Sequence, residues 1–385
     1  MNKNYVFIAV MMSLLMMTSC TSSDTGNGET SGSPAIVNLN LGLKTRSSST
    51  TALPNQAFTY GDGEGKVTAF YVGLFDGNQG KVTIDTKSET SISTTTQSRN
   101  ILVAANTTNA AADKTAFTAC KSMTDFKALT ADLSYTTSAD AQSNTACNTA
   151  NAQKMTGLPM FGEVDNCFSS FASSNTSTVN VPLCRLVARI DLNSLTSDFS
   201  QSSYPNASFI VNEIFMYNVN DICSYGGTPS QSASLAESET VGKCEQTNAS
   251  GAINANLNSF AYLSSGALTL STSPYVTSST PYYFYVFPHS STNPTKLVIK
   301  GRFKTNSSDT GTILYYPIII NDDVMSEESI TTDNDVIKAN NIYSLSVTIK
   351  GRGLTDPSQN IVPSTATVTF TVTDWATNSQ TVVIK

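Results

Sequence analysis

Between Pro34 and Lys44 the chain reads Pro-Ala-Ile-Val-Asn-Leu-Asn-Leu-Gly-Leu-Lys. Ala35, Val37, Leu39, Leu41 and Leu43 recur at every second position, and most residues between them are polar. Side chains of a strand alternate between two faces, so this period predicts a half-buried strand. Similar signals follow over 66–75, with Val67, Ala69, Tyr71, Gly73 and Phe75 on one face, and over 100–106 as a short apolar strand. Others fall at 208–218, 282–288, 296–304, 312–320, 342–350, 365–373 and 380–385. A further strand beginning near Leu183 is expected to run on to Leu192.

Two stretches break the pattern. Residues 107–155 are Ala-rich, and Phe117, Met123, Phe126, Leu129 and Leu133 fall roughly at helical spacing, which predicts one or two short helices with Thr124 or Asp125 as N-cap. Residues 221–275 are polar and turn-rich and read as a long insertion. Many strands divided by turn clusters, with few helices, predict an all-β chain of two tandem sandwich-like domains with minor helical insertions. The Ser/Thr/Asn-rich run 172–180 suggests the boundary, giving 47–180 and 181–385.

Composition narrows the function. Charged residues are 13% of the chain, against roughly 25% in ordinary soluble proteins. Ser, Thr and Asn take their place, which suits an extracellular surface. The net charge of −7 offers no basic footprint, so nucleic acid is not an expected partner. There is one histidine, His289, in a Phe-Pro-His-Ser context that reads as a loop. No G-x-S-x-G, H-E-x-x-H or P-loop pattern occurs, and Asp322-Asp323 and Glu327-Glu328 are adjacent pairs that diverge in a strand or solvate a turn. Asp62-Gly-Glu-Gly65 reads as a turn without the ligand count of a calcium loop. No catalytic residue, metal or cofactor is expected.

The N-terminus carries an address. Lys3 precedes an apolar run from Tyr5 to Met17, too short to span a bilayer and followed by polar sequence. The small residues before Cys20 resemble a lipobox, which makes residues 1–19 a signal peptide removed by signal peptidase II and Cys20 the acylated (palmitate-bearing) anchor to the outer membrane. Six other cysteines remain. Pairing of sequence neighbours, Cys120 with Cys147, Cys167 with Cys184 and Cys223 with Cys244, is the simplest disulfide arrangement in an oxidising compartment. Each bridge would close a loop of roughly twenty residues and contribute on the order of 3 kcal/mol. No CxxC pair points to zinc.

Several pieces together resemble the fimbrillin family of Bacteroidales, lipoprotein pilins of surface fimbriae. They are the lipobox with a first strand ending at Lys44-Thr45-Arg46, the strand Leu183-Cys-Arg-Leu-Val-Ala-Arg-Ile190, the segment Asn341-Ile-Tyr-Ser-Leu-Ser-Val-Thr-Ile-Lys-Gly351, and Val368-Thr-Phe-Thr-Val-Thr-Asp-Trp375. The resemblance implies cleavage by a surface protease between Arg46 and Ser47, loss of residues 20–46 with Val37, Leu39, Leu41 and Leu43, and replacement of that strand by one from a neighbouring subunit. Alternation at the chain end offers Val368, Phe370, Val372, Val382 and Ile384 as candidate donor-strand residues. The expected partners are other fimbrial subunits, the processing protease, and a host or bacterial surface ligand. The precursor would sit on the outer membrane and the mature subunit in an extracellular fimbrium serving adhesion. A second reading is a non-catalytic glycan-binding surface lipoprotein, with Tyr282, Tyr283 and Tyr285 as a stacking platform.

Overall fold

The structure, a computed structural model, describes residues 33–43, 63–65, 67, 69–76, 79–83, 91–95, 100–107, 110–133, 157–165, 175–230, 261–277, 281–292, 294–322, 335–362 and 365–374. The signal segment with Cys20, the Arg46–Ser47 bond, Cys147, Cys167, Cys244, Trp375 and the strand expected at 380–385 lie outside them.

The chain is mostly strand. The first half forms a seven-stranded sheet from β1 (Pro34–Leu43), β2 (Phe70–Asp76), β3 (Gln79–Thr83), β4 (Ser91–Thr95), β5 (Asn100–Ala105), β7 (Met160–Val164) and β8 (Thr176–Arg185), in the order β3-β2-β5-β7-β8-β1-β4. Alternation assigns its two faces. Val72 and Leu74 of β2, Ile101 and Val103 of β5, and Val37, Leu39 and Leu41 of β1 share one apolar core. Tyr71, Phe75, Leu102 and Ala104 point the other way, into the larger core of the molecule.

Helices α1 (Ala110–Ala119) and α2 (Met123–Ala128) cover that second face. Phe117 stacks on Tyr71 with ring centroids 4.6 Å apart, and Phe126 meets Phe75 edge-on at 6.0 Å. The N-cap of α2 is Ser122, not Thr124 or Asp125. Its hydroxyl accepts the Asp125 N–H while the Asp125 carboxylate accepts the Ser122 N–H, a reciprocal capping box. Asp125 is therefore the third helical residue of the box. Leu133 leaves the helical register, because β6 (Thr130–Asp132) intervenes.

The second half is a pair of four-stranded sheets. One contains β9 (Ala188–Ser197), β14 (Tyr282–Val286), β17 (Asn341–Ile349) and β18 (Ala366–Asp374), in the order β14-β9-β17-β18. The other contains β10 (Ser208–Tyr217), β13 (Ala261–Thr269), β15 (Lys296–Lys304) and β16 (Thr312–Ile319), in the order β13-β10-β15-β16. Their inward residues, among them Ile190, Leu192, Phe209, Ile299, Leu345 and Val347, form the shared core. A small sheet, β12 (Pro229–Ser230), β11 (Ile222–Ser224) and β6, stitches the halves together, since β6 comes from the first half.

Three expectations change. The strand expected from Leu183 to Leu192 is two strands, and the chain passes between sheets at Leu186 and Val187. The first sheet thus continues through Arg185, past the boundary drawn at 180/181. The 221–275 stretch is not one insertion, because β11, β12 and β13 lie within it. A one-sequence pattern misses such short or polar strands because their pairing, not their own apolar period, makes them strands.

Candidate functional site

The first strand occupies an interior place in its sheet. On one side β1 runs parallel to β8, from Ile36 opposite Thr176 to Leu43 opposite Leu183. On the other it runs antiparallel to β4, from Pro34 opposite Thr95 to Asn38 opposite Ser91. Ala35, Val37, Leu39 and Leu41 are buried, against a wall that includes Ile92, Val179, Val181 and Leu183. The expected apolar face is therefore present from Ala35 to Leu41, and the Leu43 side chain lies outside the described residues. Burial of each larger side chain stabilises the strand by roughly 1.5–3 kcal/mol as an upper bound.

The opposite face of β1 carries Ile36 and the half-buried Asn38 and Asn40. Ile36 is 45% exposed. Asn38 accepts the Ser91 hydroxyl at 2.6 Å, and the Asn40 amide donates to the Asn180 side-chain carbonyl at 2.8 Å. β1 is thus held by one apolar face, two backbone ladders and a few exposed polar contacts. Taking it away would uncover an apolar slot and leave the facing edges of β8 and β4 without their ladder partner. That is a receptor for any extended segment of matching alternation.

The candidate donor residues lie at the other end of the chain. β18 pairs along its whole length with β17, from Ile349 opposite Ala366 to Asn341 opposite Asp374. Val368 is fully buried in its own core and Val372 is 43% exposed. The Phe370 side chain, Val382 and Ile384 are outside the described residues.

A second cluster was not foreseen. Glu64, in a single 3-10 turn (Gly63–Gly65), is buried at the junction of the two halves. Its carboxylate accepts Arg189 Nη1 at 2.8 Å and the Tyr285 hydroxyl, and its backbone carbonyl accepts Arg185 Nε at 3.1 Å. Arg189 Nε also donates to Asp191 at 2.6 Å, and the guanidinium lies 4.8 Å from the Tyr283 ring centroid. Burial alone would lower the Arg189 pKa, but Glu64 and then Asp191 hold it above the usual arginine range. Burial pulls Arg185 down to about 10 against the attraction of Glu64, so it is cationic at neutral pH. Burial pushes Asp191 up to about 6, although Arg189 opposes the shift. Burial first, then the Glu64 charge, keeps the Tyr285 hydroxyl protonated and donating. Arg189 thus pairs with both carboxylates, while Arg185 donates to the Glu64 backbone carbonyl and to Asn340 Oδ1 at 3.4 Å, so the buried charges are hydrogen-bonded, the condition under which they are tolerated.

This cluster absorbs two of the three tyrosines expected to form a stacking platform. Tyr283 and Tyr285 are buried and Tyr282 is half-buried, so they present no shared open face. The thiols of Cys120 and Cys223 are buried and free. Burial pushes Cys223 up to about 12, and burial followed by the Asp125 charge raises Cys120. No disulfide joins cysteines among the described residues, and each expected bridge has one partner outside them. His289 forms an isolated backbone bridge with Ile337, consistent with a loop residue. Among the described residues, no group of three His, Cys, Asp or Glu side chains is placed to hold a metal ion.

Residues 35–185, from β1 to the end of β8, match the family model described as major fimbrial subunit protein (FimA). No curated protein matches the chain. Among solved structures, a candidate cell adhesion protein from Bacteroides eggerthii is 22% identical, with a TM-score of 0.56 over 91% of this chain and 98% of its own. A candidate cell adhesion protein from Parabacteroides distasonis is 17% identical, with a TM-score of 0.58 over 88% and 97%. A fimbrilin from Porphyromonas gingivalis is 17% identical, with a TM-score of 0.52 over 89% and 99%. At these identities the likeness is one of fold.

Proposed function

We propose that this chain, whose residues 35–185 match the major fimbrial subunit family model, is a structural subunit of a cell-surface fimbrium, polymerised by exchange of its first strand. The observation that carries the reading is the place of β1 between β8 and β4, with only its Ala35–Leu41 face buried. A strand at a sheet edge would leave little behind when lost. An interior strand leaves a slot with two ladders to fill. Cleavage after Arg46, just past the end of β1, would separate the strand from the rest of the chain. A neighbour's tail would then fill the slot, and such head-to-tail contacts do not close, so a filament grows.

The donor is the segment beyond β18, with Val382 and Ile384 as its alternating apolar residues, because Val368 already serves its own core. Export as a lipoprotein through Cys20 would hold the precursor at the outer membrane until cleavage. The work is mechanical and calls for no catalytic group.

Arg46→Ala tests this reading. The variant should stay lipidated and monomeric, and detergent-resistant oligomers should vanish from surface extracts. Normal fibres from that variant would show that cleavage at Arg46 is not the trigger. Mass spectrometry of wild-type fibres should find Ser47 as the first residue.

A further inference from the structure

The stretch between β1 and β2 must stay in place when β1 goes, and strand exchange does not explain how. Glu64 lies in that stretch. Its partners Arg185, Arg189 and Tyr285 sit on β8, β9 and β14, none of which a cut at Arg46 touches. The attachment is mutual in its charge. Without the Glu64 carboxylate, Arg189 would keep only Asp191, and Arg185, whose bonds go to the Glu64 backbone carbonyl and the Asn340 side chain, would lose its nearest countercharge in a buried site. Without the guanidiniums, Glu64 would be a carboxylate buried among tyrosines. Tyr283 and Tyr285 fill the remaining side of the site, the first under the Arg189 guanidinium.

We propose that Glu64 is the latch that holds the segment leading into β2 against β9 and β14, so that the two halves of the subunit keep their relation when β1 is absent. Only the last clause rests on the strand-exchange reading. The latch itself is a property of the uncut chain.

Hydrogen exchange of the uncut protein tests it, followed on the peptide covering residues 60–76. In Glu64→Gln that peptide should exchange about tenfold faster than in wild type, because the hydrogen bonds from Arg189 and Tyr285 lose their charged acceptor. The peptide covering β1 should keep its wild-type rate. Asp191→Asn leaves the Glu64 contacts to Arg189 and Tyr285 in place and should leave residues 60–76 protected. If Glu64→Gln does not fold, Tyr285→Phe removes one donor to Glu64 and should give a smaller rise confined to the same peptide. Unchanged exchange of residues 60–76 in the Glu64 or Tyr285 variant, or an equal loss of protection in Asp191→Asn, overturns the latch. An Arg46→Ala chain that still builds fibres overturns the cleavage reading and leaves the exchange result standing.

Discussion

The strands β1 and β9 open the two halves of the molecule and hold the same place in their sheets. Each pairs in parallel with a later strand of its own half, β8 or β17, and antiparallel with another, β4 or β14. Their second faces differ. The second face of β1 carries the exposed Ile36 and the half-buried Asn38 and Asn40, which meet their neighbours through hydroxyl and amide contacts. β9 is buried on both faces from Ala188 to Leu192, and its polar positions are Arg189 and Asp191, bonded to each other, with Arg189 also bonded to Glu64. A backbone ladder is indifferent to sequence, and an apolar slot asks only for alternation. Under the proposed exchange, another strand of the same period would satisfy the place of β1. The place of β9 would not be satisfied in this way, because no generic strand would bring the charges its site requires. On that reading, the chemistry of the second face and not topology separates a removable first strand from a fixed one.

The sharpest way to break the comparison is Arg189→Ala. It strands the carboxylates of Glu64 and Asp191 in a buried site, and urea denaturation should show a loss of about 3–5 kcal/mol. A loss below about 1 kcal/mol would mean that β9 is held by its ladder and apolar face alone, as β1 is. Leu41→Ala should come next. Leu41 is almost completely buried, and its truncation should cost the uncut chain about 3 kcal/mol. If β1 is removed as proposed, the same substitution should leave fibre stability unchanged, because the mature subunit would lack Leu41. A fibre that weakens with Leu41→Ala would show that β1 stays in place.

The contrast was half legible in the sequence. The face Ala35–Leu41 announces itself, since its period of two is uninterrupted and its partners only need to be apolar. The slot was not legible, because β4, which flanks it, is Ser-Ile-Ser-Thr-Thr with a single buried apolar residue, Ile92. Such a strand is recognised by its pairing with β1 and not by an apolar period of its own. The Glu64 site was invisible for a related reason. Asp-Gly-Glu-Gly is turn sequence by every local rule, and only the fold brings Arg185 and Arg189 over it. Those arginines stand in a run of apolar residues, Leu183 to Ile190. Charges inside an apolar strand are a signal that a buried partner is required, but they do not say where it comes from.

Acidity sharpens the comparison further, with a smaller effect. Asp191 is raised to about 6 from an ordinary aspartate value near 3.9. The folded state therefore binds its proton more tightly than the unfolded chain does. The stability this contributes is fully present below about pH 4 and is lost as pH rises through about 6, a change on the order of 2–3 kcal/mol. Asp309, lowered to about 2 by the Thr305 and Gly311 backbone N–H groups, acts in the opposite sense, losing its contribution as pH falls through that value. The difference between wild type and Asp191→Asn isolates the β9 site. Denaturation at pH 4 and pH 7 should show the two proteins diverging, with wild type losing more between them. Parallel behaviour would remove Asp191 from the buried cluster.

The smallest effect tests the other half of the contrast. Ile36 stands on β1 with its side chain 45% exposed, between the buried positions Ala35 and Val37. Ile36→Thr keeps a β-branched residue suited to a strand and removes apolar surface that is largely in water already. Its effect on the uncut chain should stay within about 0.5 kcal/mol by urea denaturation. The value matters because it bounds what the outer face of β1 contributes. A loss comparable to that of Leu41→Ala would mean that something covers Ile36, that β1 is gripped on two faces like β9, and that an incoming strand would have to match both. A loss near zero leaves one apolar face and the ladders as all that a replacement strand must reproduce.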